Sequence, residues 1–336
     1  MATTHSTEIL LTHTAALFDA AVQCAAQLLR AGEVVALPTE TVYGLAANAL
    51  NPEAVAKIYE IKGRPTHNPI ICHVASRELA RRCVTAWPAL AENLARAFWP
   101  GPLTLVMPRA AAIPDIVTAG GDTVGIRWPS HPFIQAVIAA CDFPLAAPSA
   151  NLSNRLSPTN ADHVFKQLAG RIPLIVDGGQ SQVGIESTVV DVSVAPPRLL
   201  RPGMIHAEAL LAVTGELATG TTAGILRSPG LLQKHYSPRA KLVVSRWRDE
   251  ADLHAQLDAL NVLPAACCVI AHTALPGGAG FQRISVVPHD AEAFARALYA
   301  ELHHCDELGA SHIVVEAPPD GPEWRAITDR LAWAAA

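Results

Sequence analysis

Residues 214–240, TGELATGTTAGILRSPGLLQKHYSPRA, constrain the fold of this chain more than any other stretch. They are rich in Gly, Thr, Ser and Pro and lack apolar periodicity, so no helix or strand can bury a face there. Such a segment reads as a linker or a functional loop. The chain has 336 residues, too many for one ordinary core, and the break divides it into two parts that each need their own. Half of the residues are hydrophobic and 16% are charged, which supplies two cores and argues against disorder.

Both parts alternate short apolar runs with amphipathic segments. Residues 14–31 place Leu17, Phe18, Ala21, Val22, Ala25, Leu28 and Leu29 on one helical stripe, with Gly32 as the stop. VVALP reads as a strand. Asn51-Pro52-Glu53 reads as an N-cap, a proline at N1 and a first-turn acid, opening a helix to about Ile61. PIICHV, LTLVM, TVGIRW, PLAAP, LIVD and STVVDVS read as strands, with helices over 88–98, 131–141 and near 160–169. This mixture predicts an α/β sheet with mixed strand directions. After the break, KLVVS, CCVIAH, RISVV and HIVVEA alternate with helices near 249–260, 290–309 and 323–335. That order predicts a smaller Rossmann-like α/β domain with a mainly parallel sheet. The domain expectation is 1–213, a linker or lid over 214–240, and 241–336.

Composition excludes several classes. A net charge of −5 argues against a nucleic-acid coat but leaves room for a local cationic pocket. Seven scattered cysteines without C-x-x-C point to reduced thiols in a cytoplasmic protein. The polar N-terminus has no cation before Arg30, so no signal peptide is read, and no apolar run reaches the roughly 20 residues of a membrane span. Walker A, dinucleotide-binding, nucleophile-elbow and H-E-x-x-H motifs are absent. His303, His304, Cys305 and His312 lack ligand spacing, and no metal site is read there.

Polar residues gather instead at strand ends. In EIKGRPTHNPIICHV, Lys62 and Arg64 are one residue apart and would point the same way in an extended segment. Two cations aimed together repel unless an anion lies between them, and Lys with Arg suits phosphoryl or carboxylate oxygens. The competing reading is a solvated helix C-terminus favoured by the dipole, and spacing alone leaves the two even. AAPSAN sets Ser149 and Asn151 at i and i+2, GIEST opens a strand with Ser187 and Thr188, LLRPG places Arg201 after a strand, and DTVGIRWP puts Thr123 and Arg127 on one strand face. Each is weak alone, and an ordinary turn explains AAPSAN as well. Together they predict one polar pocket for an anionic ligand.

PTETVYGLAANA (38–49), KGRPTHNPIICHV (62–74), FWPGPLTLVM (98–107), TVGIRWPSHP (123–132), AAPSANLSNRLSPT (146–159), DGGQSQVGIESTVVDVS (177–193) and LLRPG (199–203) resemble the YrdC-type threonylcarbamoyl-AMP synthases. SPGLLQKHYSPRA (228–240) resembles the linker of the two-domain branch. The match is dense over 33–205. Over 241–336 it rests on domain order and the α/β pattern. Cys72 stands where an aliphatic residue is more usual, Ala46 where Gly is frequent, and PGLLQKHY lacks the usual Met-Lys-Tyr.

The resemblance implies a twisted mixed sheet and the synthesis of L-threonylcarbamoyl-adenylate from L-threonine, bicarbonate or CO2, and ATP, with release of pyrophosphate and with Mg²⁺ on the phosphates. It implies a partner enzyme that carries the threonylcarbamoyl group to adenosine 37 of tRNA, which this chain would meet only indirectly or weakly. Carried onto this sequence, it puts Thr39, His73, Arg127, the backbone of Ala147 and Ser187 beside L-threonine. It puts Lys62, Arg64, Asn68, Thr123, Ser149, Asn151, Ser157 and Arg201 beside ATP, with Lys62 and Arg64 catalytic. In the linker, His235 and Tyr236 would reach the nucleotide. Three other readings are a non-catalytic RNA-binding module, which the acidic charge and few aromatics disfavour; carbamoyl transfer to another acceptor, as in hydrogenase-maturation proteins, whose zinc fingers have no counterpart here; and a phosphate-binding enzyme of unknown substrate, which is what spacing alone supports.

Overall fold

The structure, a computed structural model, describes residues 6–220, 237–277 and 280–336. The chain falls into two compact units, Met1–Ser153 with Ser157–Leu232, and Asn154–Leu156 with Gln233–Ala336. In chain order the strands of the first unit are β1 (Glu8–Leu11), β2 (Val35–Leu37), β3 (Gly44–Asn48), β4 (Cys72–His73), β5 (Leu103–Pro108), β6 (Thr123–Arg127), β7 (Leu145–Ala146), β8 (Leu174–Asp177), β9 (Thr188–Asp191), β10 (Arg198–Arg201) and β11 (Ala218–Thr219). They form one sheet in the order β1-β8-β2-β3-β7-β4-β6-β5-β9-β10-β11. Strand directions are mixed: β4 runs parallel to β6, β5 runs antiparallel to β6 and parallel to β9, and β9 runs antiparallel to β10.

Local chemistry explains the helices. Thr14 caps helix Ala15–Arg30 by accepting from Leu17 N. Its stripe of Ala21, Val22, Ala25, Ala26 and Leu29 is buried, and Phe18 meets Phe133 of helix Pro132–Cys141 edge to face at 5.2 Å. Asn51 caps helix Pro52–Lys62, whose last residue is one beyond the expected end. Gly63 closes that helix at φ 60°, a left-handed conformation in which glycine has no Cβ penalty.

The expected strand PIICHV narrows to Cys72–His73. Pro69 has no N–H to give to a ladder, and Ile70 N donates instead to Val117 O. Elements of the first unit outside the sequence expectation are β1, β3, β11, helix Arg77–Arg82, helix Asp115–Thr118 and helix Ala207–Thr214. Strand β11 lies parallel to β10, so the sheet of the first unit includes Ala218–Thr219.

The second unit holds β12 (Lys241–Ser245), β13 (Cys267–Ala271), β14 (Arg283–Val286) and β15 (His312–Glu316), all parallel, in the order β12-β15-β13-β14. Every residue of β13 is buried, as parallel strands covered on both faces require. At the carboxyl ends of these strands, Glu316 accepts from the amides of His272, Thr273 and Ala274. It borders a cavity of about 350 Å³ lined by Trp247, His289 and Pro318 among others. No helix among the described residues is long and apolar enough to cross a membrane.

Candidate active site

The buried stripe of helix Pro52–Lys62 runs Ala54, Val55, Ile58, Tyr59 and ends at Lys62, so helical periodicity carries the lysine inward. Lys62 is 3% exposed and Arg64 7%, which rules out a solvated helix terminus. The premise of an extended Lys-x-Arg segment is also corrected. Lys62 is helical and Gly63 is left-handed, so the two cations enter the interior through a helix end, where the dipole favours positive charge.

Lys62 Nζ donates to Ser149 O at 2.6 Å, Asn151 O at 2.5 Å and Asn151 Oδ1 at 3.1 Å, which occupies all three of its donors. Burial, and after it the charge of Arg64, holds its ammonium pKa well below the usual lysine range. Arg64 donates from Nε to Asn68 O at 3.1 Å and from Nη2 to Pro69 O at 2.7 Å. The amide of Asn68 is fully buried, and both its nitrogen and its oxygen lack a hydrogen-bond partner. Ser149 Oγ donates to Asn151 Oδ1 at 2.6 Å, which makes the turn of AAPSAN a compact set of oxygens around the lysine.

A second group crosses the sheet as a row. Register pairs His73 on β4 with Arg127 on β6, and Arg127 with Thr104 on β5. Thr104 Oγ1 lies 2.8 Å from Ser187 Oγ, just before β9. Arg201 on β10 donates to Ser187 O and Ser187 Oγ, each at 3.1 Å. Strands β4, β6, β5 and β10, with the residue that precedes β9, therefore align His73, Arg127, Thr104, Arg201 and Ser187. Burial, and after it the positive charge of Arg127, pushes the imidazole of His73 down to about 3, so it is neutral near pH 7. Its Nδ1 has no hydrogen-bond partner.

The two groups meet at PTETV. Glu40 Oε1 lies 2.7 Å from Arg127 Nη2, and both side chains are buried. Thr39 Oγ1 donates to Val42 O at 2.6 Å and lies 2.9 Å from Thr41 Oγ1. Backbone bonds knit the motifs together. Val183 N donates to Glu40 O at 2.7 Å and Leu45 N to Pro148 O at 2.7 Å, while Ala147 N donates to Ile71 O at 3.1 Å and Ser153 N to Lys62 O at 2.8 Å. Ser157 Oγ donates to Glu186 Oε1 at 2.6 Å.

Thr123 stands apart from this assembly. It shares a face of β6 with Arg127 but opposes Pro108 at the other end of the strand, about 13 Å away at a strand's rise. His235 and Tyr236 lie outside the described residues. Sequence reading passed over Glu40, Thr104 and Glu186. The available signals were a lone acid inside PTETV, a lone hydroxyl inside the buried run LTLVM, and an acid beside Ser187 in GIEST. Among the described residues, no group of three or more His, Cys, Asp or Glu is placed to hold a metal ion.

Buried polar atoms normally find partners, and each one left without costs about 1–3 kcal/mol. Among the described residues such atoms fall on Asn68, His73, Arg127 and Glu40, and singly on Trp128, Arg198, Thr214 and Ser237. The arrangement offers opposite charges, one amide and one imidazole nitrogen to a small polar ligand from buried side chains.

Comparison with known proteins identifies the family of the chain. Residues 27–203 match the Sua5/YciO/YrdC family model, described as "Telomere recombination", and residues 205–336 match the model described as "Threonylcarbamoyl-AMP synthase, C-terminal domain". Threonylcarbamoyl-AMP synthase of Pyrococcus abyssi is 38% identical over 318 residues, covering 92% of both chains. That of Bacillus subtilis is 41% identical over 323 residues, covering 94% of this chain and 93% of its own. The crystal structure of P. abyssi Sua5 complexed with L-threonine superposes with a TM-score of 0.89 at 37% identity, over 98% of this chain and 97% of that one. With both family models matched in order and relatives aligned along nearly their whole length, this chain belongs to the two-domain threonylcarbamoyl-AMP synthase family.

Proposed function

We propose that this chain makes L-threonylcarbamoyl-adenylate from L-threonine, CO2 or bicarbonate, and ATP, as a nucleotidyltransferase that releases pyrophosphate. The observation that carries the reading is the burial of Lys62, Arg64, His73, Arg127 and Arg201 in one unit, together with the unpartnered amide of Asn68, in a chain whose relative was crystallised with L-threonine. Thr39, His73, Arg127, the backbone of Ala147 and Ser187 form the threonine side. Lys62, Arg64, Asn68, Ser149, Asn151, Ser157 and Arg201 form the nucleotide side, with Thr123 at its far edge and His235 and Tyr236 supplied by the linker.

The chemistry explains the cations. The threonine ammonium first gives up a proton to solvent; the free amine then forms an N–C bond to CO2, one C=O π bond opens, and a second proton leaves the nitrogen to solvent, giving an N-carboxylate. That carboxylate attacks the α-phosphorus of ATP, a P–O bond forms, and the bond to pyrophosphate breaks. Attack of one anion on another is slow in water, so catalysis rests on positioning and on fixed positive charge. Lys62, Arg64 and Arg201 supply that charge. For Lys62 to touch a phosphoryl oxygen, it must exchange one of its three carbonyl-type partners for it. Mg²⁺ would come with the nucleotide as its phosphate complex.

We divide the chain into a catalytic part over 1–213, a linker over 214–240 whose Ala218–Thr219 extend the sheet of the first unit, and a smaller domain over 241–336. The carbamate and the mixed anhydride both hydrolyse, so closure that excludes water favours product. A separate transferase consumes the product at adenosine 37 of tRNA, which places the chain in the cytoplasm.

The test is pyrophosphate release from ATP by the full chain, with and without L-threonine and bicarbonate, with nucleotide products identified. Release that requires both co-substrates is the expected result. Release indifferent to threonine would overturn the substrate assignment.

A further inference from the structure

The Glu40–Arg127 pair is not explained by the roles assigned so far. The two side chains are 5–6% exposed and 2.7 Å apart, yet the contact has the geometry of an ion pair without a hydrogen bond. Both oxygens of Glu40, and Nε and Nη2 of Arg127, lack hydrogen-bond partners. A buried ion pair offsets the cost of desolvating its charges only when the remaining donors and acceptors are satisfied. By that standard this pair is incomplete as a structural device.

We infer that Glu40 receives the α-ammonium of the amino-acid substrate while Arg127 takes its α-carboxylate, so that the buried pair is a receptor for a zwitterion. The inference rests on the threonine reading of the site given above.

Charge balance carries it. A simple anion on Arg127 would face the carboxylate of Glu40, and a simple cation on Glu40 would face the guanidinium. A zwitterion brings both signs on neighbouring atoms, keeps the site at its original net charge, and gives partners to both sets of atoms. Among the described residues, the titratable groups whose charge is felt by the pair are His73, beside Arg127, and His131, beside Glu40. Burial pushes both pKa values down, so neither supplies a competing cation near neutral pH. The backbone of Glu40 is fixed by Val183 N at 2.7 Å, and Thr39, tied through its carbonyl to Ser181 Oγ at 3.0 Å, precedes it. The backbone that carries the carboxylate is therefore held in place before a ligand arrives. Glu40 is in this sense a specificity-determining residue for the amino-acid substrate.

The experiment compares, by calorimetry on the full chain, the binding of L-threonine with that of the matching 2,3-dihydroxybutanoate, in which a hydroxyl replaces the ammonium. The expected wild-type preference for L-threonine is ~10- to 100-fold, the scale of a charge-assisted hydrogen bond. In Glu40→Gln that ratio falls close to one through loss of threonine affinity, with ATP binding retained, and Glu40→Asp keeps part of it. A merely structural carboxylate would weaken both ligands alike and leave the ratio intact, and that result would overturn the assignment. Equal binding of the two ligands by the wild type would overturn it without any variant, which covers the case of a Gln variant that does not fold. A wild type that binds neither ligand would refute the threonine reading itself, and the Glu40 assignment with it.

Discussion

Replacing His73 by Asn should make the first unit less sensitive to acid. The native imidazole is pushed down to about 3 from an ordinary value of 6.5, chiefly by burial and then by the charge of Arg127. As the pH falls below about 6.5 the unfolded chain takes up a proton on this histidine, and the native state does not until about 3. The unfolded state thus binds more protons across that window. The stability His73 contributes is complete above 6.5, declines between 6.5 and about 3, and is gone below. With 3% exposure the charge is poorly screened, and the shift corresponds to about 2 kcal/mol lost at pH 5 relative to pH 7.5. The assay is urea unfolding of wild type and His73→Asn at several pH values from 7.5 to 4.5. Between the ends of the range the wild-type midpoint should fall by roughly 0.5–1 M more than that of the variant. His131, also pushed down by burial, and the second unit are common to both proteins and cancel in the difference. Equal acid sensitivity in the two proteins, or a His73 proton resonance titrating near 6.5, would refute the reasoning.

Other consequences are as specific. Lys62→Ala and Arg64→Ala should each lower kcat by ~100-fold or more while the fold survives, and wild-type turnover in either purified variant would exclude them as the charge clamp. Gly203→Ala should destabilise the first unit by about 1–3 kcal/mol, because the new Cβ would lie 2.4 Å from Thr188 N and 2.6 Å from its Oγ1; an unchanged thermal midpoint would contradict this close approach. Selection of threonine over serine rests on one methyl, worth about 1–3 kcal/mol, so kcat/KM ratios of roughly 10–200 are expected and a ratio of one would count against an apolar niche for it.

Helices were the most legible part of the chain because their signals are local. Thr14 and Asn51 cap, Gly32 and Gly63 stop, and the apolar stripe between them has a period that sequence shows directly. Short strands were less legible. Cys72–His73 and Leu145–Ala146 are two residues each, too short for an alternation to register, and exist because neighbouring strands supply their hydrogen bonds. Strand β1 was missed for the same reason, since its partner is β8, more than 160 residues away in sequence.

At the site, residue types and motif order pointed to the chemistry before any fold was known. Lys, Arg, Ser, Asn and Thr gathered at strand ends and next to glycines, where backbone and ligand can approach closely. Their arrangement was decided only in three dimensions. Helical periodicity turns Lys62 inward and spends its three donors on the Ser149–Asn151 turn, which no spacing of Lys-x-Arg foretells. Register across β4, β6 and β5 sets His73, Arg127 and Thr104 in one row, and the same strand carries Thr123 to the far end. The pairing of Glu40 with Arg127 spans 87 positions and has no local trace at all. The sequence by itself thus determined the chemical inventory and the local elements, because caps, periods and turn residues act over a few positions. Which cation meets which acid, and which polar atom is left for a ligand, depended on burial and strand register, because those are set by contacts between segments distant in the chain.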